Sequence, residues 1–159
     1  MLRELLIALG IVAICVVIHT ASLVLFAQFL LYRFPTIERV RTMTRQAAFL
    51  IVVFTVVISL HLIESALWAT FYYLRDLFQD FETAFYFSLV TYASIGFGDV
   101  VLPERWRLLS GIEGISGVLM CGLSGGFIFA VINALFQVRM QQRSAPPVKT
   151  YSAKESGAD

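Results

Sequence analysis

Charge is scarce in this sequence. Only 14% of its 159 residues are charged, with 12 Lys and Arg against 11 Asp and Glu, so the formal net charge is +1. This balance offers no basic surface for nucleic acid, and we expect no nucleic-acid partner. Hydrophobic side chains make up 58% of the chain and the mean hydropathy is +0.80, which is too apolar for an ordinary soluble domain. The composition therefore predicts a membrane protein.

Cysteines and recurrent metal-binding motifs are also scarce. Cys15 and Cys121 both lie in apolar runs, where isolated thiols are usually packing residues rather than disulfide partners. The residues of metal-ligand type inside the apolar runs are His19, His61, Glu64 and Glu113. Their spacing does not match a motif such as His-Glu-x-x-His, so the sequence argues against a metal centre and against an enzyme.

The apolar residues are grouped into three long runs, at 5–31, 47–74 and 108–138. As a helix, the first run would be roughly 40 Å long, against a hydrocarbon core of about 30 Å. We therefore predict three transmembrane helices. The first is interpreted as a retained helix and not a signal peptide, because its apolar part is long and its start carries only Arg3 beside Glu4. It has no regular arginine series, so it is not a voltage sensor.

Basic residues predict the orientation. The segment 32–46 contains four arginines and the single acid Glu38, and the tail 139–159 is also basic. Basic segments stay on the cytoplasmic side, so we expect both in the cytoplasm. The membrane is expected to be the plasma membrane, which is the inner membrane of a cell with two. The amino terminus then lies outside. We divide the chain into a helix with a basic loop, 1–46, a central domain, 47–138, and a tail that is expected to be disordered.

A short helix is predicted between the second and third runs. Asp80 is an expected N-cap for a helix over residues 81–92. Twelve residues rise about 18 Å, so this helix is too short to cross the bilayer and must stop halfway. An amphipathic surface helix is the alternative, but it does not account for the glycine-containing stretch that follows.

That stretch has glycines at alternate positions. Gly96 and Gly98 can take backbone angles closed to other residues, so consecutive carbonyl groups can turn the same way and replace water around a cation. The predicted ion-binding residues are Ser94, Ile95, Gly96, Phe97 and Gly98. The Ser94 hydroxyl adds one more oxygen. The side chains of Ile95 and Phe97 are expected to point away and pack behind the carbonyls.

Ser94-Ile-Gly-Phe-Gly-Asp99 resembles the potassium-channel signature Thr-Val-Gly-Tyr-Gly-Asp. Both glycines and the aspartate match, whereas Ser, Ile and Phe are departures of similar shape. The resemblance covers residues 47–138 and implies an outer helix, a pore helix, a selectivity filter and an inner helix, with Asp99 at the outer mouth. It implies passive, potassium-selective conduction across a lipid bilayer, with potassium at the filter carbonyls and no cofactor. A non-selective cation channel on the same fold is the alternative.

One filter per chain is too few to surround an ion. A ring of carbonyl groups around a central ion requires four copies, so we predict a homotetramer with the pore on the fourfold axis. The fold class predicted is thus an all-α membrane protein with three transmembrane helices, a re-entrant pore helix and a filter.

Ionisable residues inside the spans need partners. His61, Glu64 and Trp68 share one helix face, and Glu64 is expected to bond to His61 or to polar groups of the pore helix. It is either a structural buttress or a gating or pH-sensing group. Glu113 is expected to bond to the back of the pore helix. His19 is either proton-sensitive or bonded to a neighbouring helix. A membrane enzyme or accessory subunit using His61 and Glu64 is a further alternative.

The third run is rich in glycine. Small residues let helices approach closely, and Gly122-x-x-x-Gly126 is a packing pattern. Gly117 and Gly122 are the candidates for a hinge, which the family resemblance implies at one of these positions.

Overall fold

The computed structural model describes residues 2–33 and 43–144. Within these ranges the chain forms four α-helices and a 3-10 turn at Glu104–Trp106. The α-helices are α1, Leu2–Arg33; α2, Met43–Leu74; α3, Phe81–Tyr92; and α4, Arg107–Ser144. The predicted all-α fold is confirmed. The parts of the predicted loop and tail at 34–42 and 145–159 lie outside the described residues, and the statements about them remain predictions.

Three of these helices are long and apolar enough to cross a membrane. They extend beyond the predicted runs because helical backbone bonds continue through flanking polar residues, which a count of apolar side chains leaves out. Thus α2 begins at Met43 and α4 continues to Ser144, past the predicted end at Val138.

The short helix α3 has the predicted bounds. Asp80 is its N-cap, with an extended backbone, and its carboxylate accepts a hydrogen bond of 2.7 Å from the Thr83 amide. At the carboxyl end, Ala93 is the C-cap, and its amide donates to the carbonyl groups of Leu89 and Thr91. At 12 residues the helix is far shorter than a bilayer span, as the sequence predicts.

Aromatic packing holds α3 between α2 and α4. The buried side chains of this core include Trp68, Ala69, Tyr72, Ala84, Phe87, Tyr92 and Leu109. The rings of Tyr72 and Phe87 meet edge to face with centroids 5.4 Å apart, a favourable arrangement for their quadrupoles. The position of α3 is therefore set by large side chains on both neighbouring helices.

The helix α1 packs mainly against α4. At its amino end, Oε1 of Glu4 accepts hydrogen bonds from Nε and Nη2 of Arg105, at 3.0 and 2.9 Å. This ion pair places the start of α1 on the same side of the molecule as the loop between α3 and α4.

Candidate functional site

The backbone after α3 alternates in handedness. Ser94, Gly96 and Gly98 have positive φ angles of 57°, 52° and 79°. The sequence predicts this freedom for the two glycines, but a serine in this region is uncommon and sequence reasoning missed it. Left-handed residues at every second position are what a chain needs if its carbonyl groups are to turn to one side.

Hydrogen bonds to the end of α3 fix the first peptide groups of this stretch. The amides of Ile95 and Gly96 both donate to the carbonyl oxygen of Val90, at 2.8 and 3.0 Å. In a trans peptide the N–H and the C=O point in opposite directions, and the described residues contain no cis bond. The carbonyl oxygens of Ser94 and Ile95 therefore point away from α3.

The stretch lines one wall of an open cavity of about 750 Å³ between α3 and α4. Ser94, Gly96 and Gly98 contribute to this wall, and Gly111 and Gly114 of α4 contribute opposite. The side chains of Ile95 and Phe97 are 56% and 69% exposed in the single chain. Among the described residues they are not packed behind the carbonyl groups, which differs from the expectation.

Asp99 is hydrogen-bonded to α3. The hydroxyl of Tyr86 donates to Oδ2 of Asp99 at 2.7 Å. This bond stabilises the charged carboxylate and lowers the pKa of Asp99 below its usual range, while the same bond raises the pKa of Tyr86. Phe97 has no hydroxyl, and Tyr86 supplies one to the same short loop from α3. No sequence pattern identifies Tyr86 for this role.

Glu64, a residue of α2, is fully buried next to the carboxyl end of α3. Its Oε1 lies 2.9 Å from Nδ1 of His19, and its Oε2 accepts a 2.5 Å hydrogen bond from the hydroxyl of Tyr92. Tyr92 is the last residue of α3, so one partner is a polar group of the pore helix, as the sequence predicts. The bond to His19 of α1 was missed. Nδ1 of His61 is 3.4 Å from Oε2, and the contact is not a hydrogen bond.

Ser124 of α4 completes this cluster. Its hydroxyl oxygen lies 3.0 Å from Nε2 of His19 and 3.2 Å from Nε2 of His61, and the two imidazole rings are 5.3 Å apart. Both histidines of the chain therefore meet at the same place, although they come from different helices. Hydropathy and spacing do not reveal such a meeting.

Ser124, His19 and Glu64 are bonded in the order of a hydrolase triad, and residues 122–126 fit the spacing Gly-x-Ser-x-Gly. That motif works on a turn between a strand and a helix, with free amides for an oxyanion. Here Ser124 is inside α4, where the helix uses the amides, and it is only 2% exposed. The geometry does not fit a nucleophile.

Glu113 of α4 lies behind the middle of α3. Its Oε1 accepts from the hydroxyl of Ser88 at 2.5 Å, and its Oε2 accepts from the hydroxyl of Tyr72 at 2.7 Å. Ser88 also lies 2.7 Å from the carbonyl oxygen of Ser65. Glu113 thus bonds to the back of the short helix, where the sequence predicts it, and also to α2.

The glycines of α4 differ in their surroundings. A Cβ on Gly117 would overlap the carbonyl oxygen of Tyr92, so α4 crosses the end of α3 at this point with no room for a side chain. A Cβ on Gly114 would touch the carbonyl oxygen of Thr91. In the described part of the chain, no atom lies within 4 Å of a Cβ added at Gly122 or Gly126. Close packing explains Gly117, whereas the hinge remains a prediction.

A family model described as "Ion channel" matches residues 48–136. This is more than half of the 159 residues and nearly the whole of the segment that resembles potassium channels. The chain therefore belongs to this ion channel family. The matched domain is of the potassium-channel type, which has two transmembrane helices. The comparisons with curated proteins and with solved structures give no match.

Proposed function

We propose that the protein is a passive, potassium-selective channel in which residues 94–98 form the selectivity filter. The backbone of this stretch carries the proposal. Ser94, Gly96 and Gly98 are left-handed, and the carbonyl oxygens of Ser94 and Ile95 point away from α3. Hard carbonyl oxygens in a row are the ligands that replace the hydration shell of an alkali cation. Potassium is the permeant ion here, and no cofactor is needed.

Four copies of the chain form the pore. A single chain supplies one wall of carbonyl groups, and its cavity beside the filter is open. The exposed side chains of Ile95 and Phe97 are large and apolar, and a neighbouring subunit would cover them. A closed ring with a fourfold axis would surround the ion with carbonyl groups and would also cover these side chains.

The amino terminus of the chain lies outside the cell and the carboxyl terminus lies inside. The arginines of segment 32–46 favour the cytoplasm. The ion pair of Glu4 and Arg105 puts the amino end of α1 on the side of the filter loop. On that side Asp80, Glu82 and Asp99 give the mouth a negative charge that attracts cations.

Reconstitution into liposomes tests this function. With potassium inside and sodium outside, the reversal potential should lie close to the potassium equilibrium value. A reversal potential near zero with clear current would assign the protein to the non-selective cation channels. If no current appears in protein that has been shown to insert, the channel proposal is wrong.

A further inference from the structure

The cluster of His19, His61, Glu64 and Ser124 has no part in the proposed conduction path. One ligand atom each from His19, His61 and Glu64 lies within 4.8 Å of the other two. Both His19 and Glu64 are fully buried. Ionisable groups at membrane depth are costly, and by default they mark a functional site.

Counting hydrogens at Ser124 constrains the two rings. Its oxygen is within hydrogen-bond distance of Nε2 of both His19 and His61. A hydroxyl has one hydrogen and can donate to only one of them, so at least one Nε2 must itself carry a hydrogen. A neutral imidazole has a single N–H, and the Nδ1 of that ring is then a bare lone pair.

Both Nδ1 atoms face the carboxylate of Glu64. The distances are 2.9 Å from His19 to Oε1 and 3.4 Å from His61 to Oε2. An ionised carboxylate can only accept hydrogen bonds. If both imidazole rings are neutral, the Nδ1 lone pair of at least one ring therefore faces a lone pair of the Glu64 carboxylate. His61 fits this description, because its Nδ1 is buried and makes no hydrogen bond with the described part of the chain. Because Nδ1 of His61 and the Glu64 side chain are buried, such an arrangement is costly, and a cation between the two groups relieves it.

The spacing suits a tetrahedral metal ion. Zinc–ligand bonds of 2.0–2.1 Å place neighbouring ligand atoms about 3.3 Å apart. His19 Nδ1 is 2.9 Å from Oε1 of Glu64 and His61 Nδ1 is 3.4 Å from Oε2, values on either side of this distance although they involve different oxygens of the carboxylate. The three ligand atoms lie within 4.8 Å of one another, so an ion would draw the ligands closer together. Two imidazoles and a carboxylate are a common ligand set for zinc and similar divalent ions, and they leave one position open.

The surrounding hydroxyl groups suit the same ion. With a metal on both Nδ1 atoms, each Nε2 carries a hydrogen, and the two lone pairs of the Ser124 oxygen can accept both. The hydroxyl of Tyr92 donates to Oε2 and orients the carboxylate of Glu64. Outer partners of this kind are a regular feature of metal sites.

We propose that His19, His61 and Glu64 form a binding site for a divalent transition-metal ion of the zinc class. The spacing of these residues in the sequence argues against a metal centre, because the ligands come from two helices, α1 and α2, and form no recurrent motif. The His61 side chain is 20% exposed in the single chain. The inference goes beyond the proposed conduction and does not depend on it.

Metal binding is measured on the purified full-length protein in detergent, with no current recording. Dialysis against Zn²⁺ followed by elemental analysis should give one ion per chain, and Co²⁺ should give the visible spectrum of a nitrogen and oxygen site without thiolate bands. His61→Gln and His19→Gln should each lower the affinity by more than about 100-fold, because loss of an outer partner alone costs about 10–100-fold. Ser124→Ala, which removes only an outer partner, should lower the affinity by about 10–100-fold.

Cys121→Ser is the matched control, because Cys121 is an exposed thiol on α4 that could bind metal by itself. This variant should bind like the parent. The proposal is wrong if the parent binds no Zn²⁺, if His61→Gln binds as tightly as the parent, or if Cys121→Ser abolishes binding. If the parent binds no metal and its imidazole NMR signals titrate together, a proton occupies the position instead, and the metal proposal is likewise wrong.

Discussion

At the scale of single residues, Ser94 is the unexpected left-handed residue of the stretch proposed as the filter. Its φ of 57° costs a residue with a side chain about 1–2 kcal/mol. The amide of Ser94 donates to Thr91 at 2.9 Å, and the next amide donates to Val90. These bonds hold the left-handed turn that starts the row of carbonyl groups. Strained backbone of this kind is concentrated at functional sites.

Gly96→Ala should abolish conduction. Gly96 has a φ of 52°, and a Cβ penalises that conformation by about 1–2 kcal/mol, so the carbonyl groups should rotate out of the ion path. Space within the subunit is not the reason, because none of its described residues has an atom within 4 Å of the added Cβ. The measurement is potassium flux in liposomes.

The control for this prediction is Gly10→Ala on α1, a helical position with equally open surroundings. It should conduct like the parent, and both variants should elute from a sizing column in the oligomeric state of the parent. Normal, potassium-selective flux through Gly96→Ala would mean that residues 94–98 are not the filter.

Tyr86→Phe should raise the pKa of Asp99 toward its ordinary value. The hydroxyl of Tyr86 stabilises the charged form, so the native pKa is low and the unfolded pKa is higher. The stability from this bond is complete above the unfolded pKa and is lost as the pH falls through the native value. Tyr86→Phe should remove this part of the acid dependence.

Carboxyl-carbon NMR titration measures the pKa of Asp99 in the parent and in Tyr86→Phe. Tyr73→Phe, which removes a tyrosine hydroxyl on α2, is the matched control and should leave the titration of Asp99 unchanged. An unchanged titration of Asp99 in Tyr86→Phe would show that the bond does not form in solution.

At the scale of elements, α3 is held at its start, middle and end by side chains of different kinds. Asp80 caps the start, Glu113 bonds to Ser88 in the middle, and Glu64 bonds to Tyr92 at the end. A helix of 12 residues has little stability of its own, so its position depends on these bonds and on the aromatic core. The proposed filter begins directly after the end that Glu64 supports.

Gly117→Ala should destabilise the contact between α3 and α4. The added Cβ would overlap backbone atoms of Tyr92, which cannot move aside as a flexible side chain can. Forced packing of this kind costs about 1–3 kcal/mol, and the shift at Tyr92 should also lower potassium flux. The free energy of unfolding in detergent is the first measurement.

Gly122→Ala is the control on the same helix, because nothing in the single chain lies within 4 Å of its Cβ. As a monomer it should be as stable as the parent or slightly more stable, since alanine favours helix over glycine by about 0.5–1 kcal/mol. Equal stability of Gly117→Ala and the parent would contradict the close crossing.

At the scale of the whole molecule, α1 is added to a pore domain that the family match places at residues 48–136. Besides apolar packing, it makes polar contacts with this domain through Glu4 with Arg105 and through His19 with Glu64 and Ser124. The first contact fixes the side on which its amino end lies. The second joins His19 to the carboxylate of Glu64, which also accepts a hydrogen bond from Tyr92, the last residue of α3.

Cysteine labelling should give the orientation of the chain. In a background with Cys15 and Cys121 replaced, single cysteines at Ile37 and Ser152 should be protected from an external, impermeant reagent. A cysteine at Gln79 should react, because it precedes α3 on the side of the filter loop. Labelling of position 37 from outside, with position 79 protected, would reverse the predicted topology and the direction of the pore.

Much of the candidate site could be read from the sequence, but its supporting contacts could not. The alternate glycines of the filter stretch and the cap of α3 are local patterns, so Gly96, Gly98 and Asp80 were found directly. Tyr86 and Ser124 carry no local signal, because a tyrosine or serine in an apolar helix is ordinary until its partner is known. Their partners, Asp99 and the two histidines, are set by how the helices are rotated against each other.

The sequence by itself determined the membrane environment, the three long helices, the short helix between them and the glycine stretch. These follow from hydropathy, length and backbone freedom, which act within a few turns of chain. Only the tertiary structure decided that Gly117 and not Gly122 meets α3, and that His19 and His61 share one carboxylate. Such contacts depend on the crossing and rotation of whole helices, which are the result of packing many side chains at once and leave no periodic trace in the sequence.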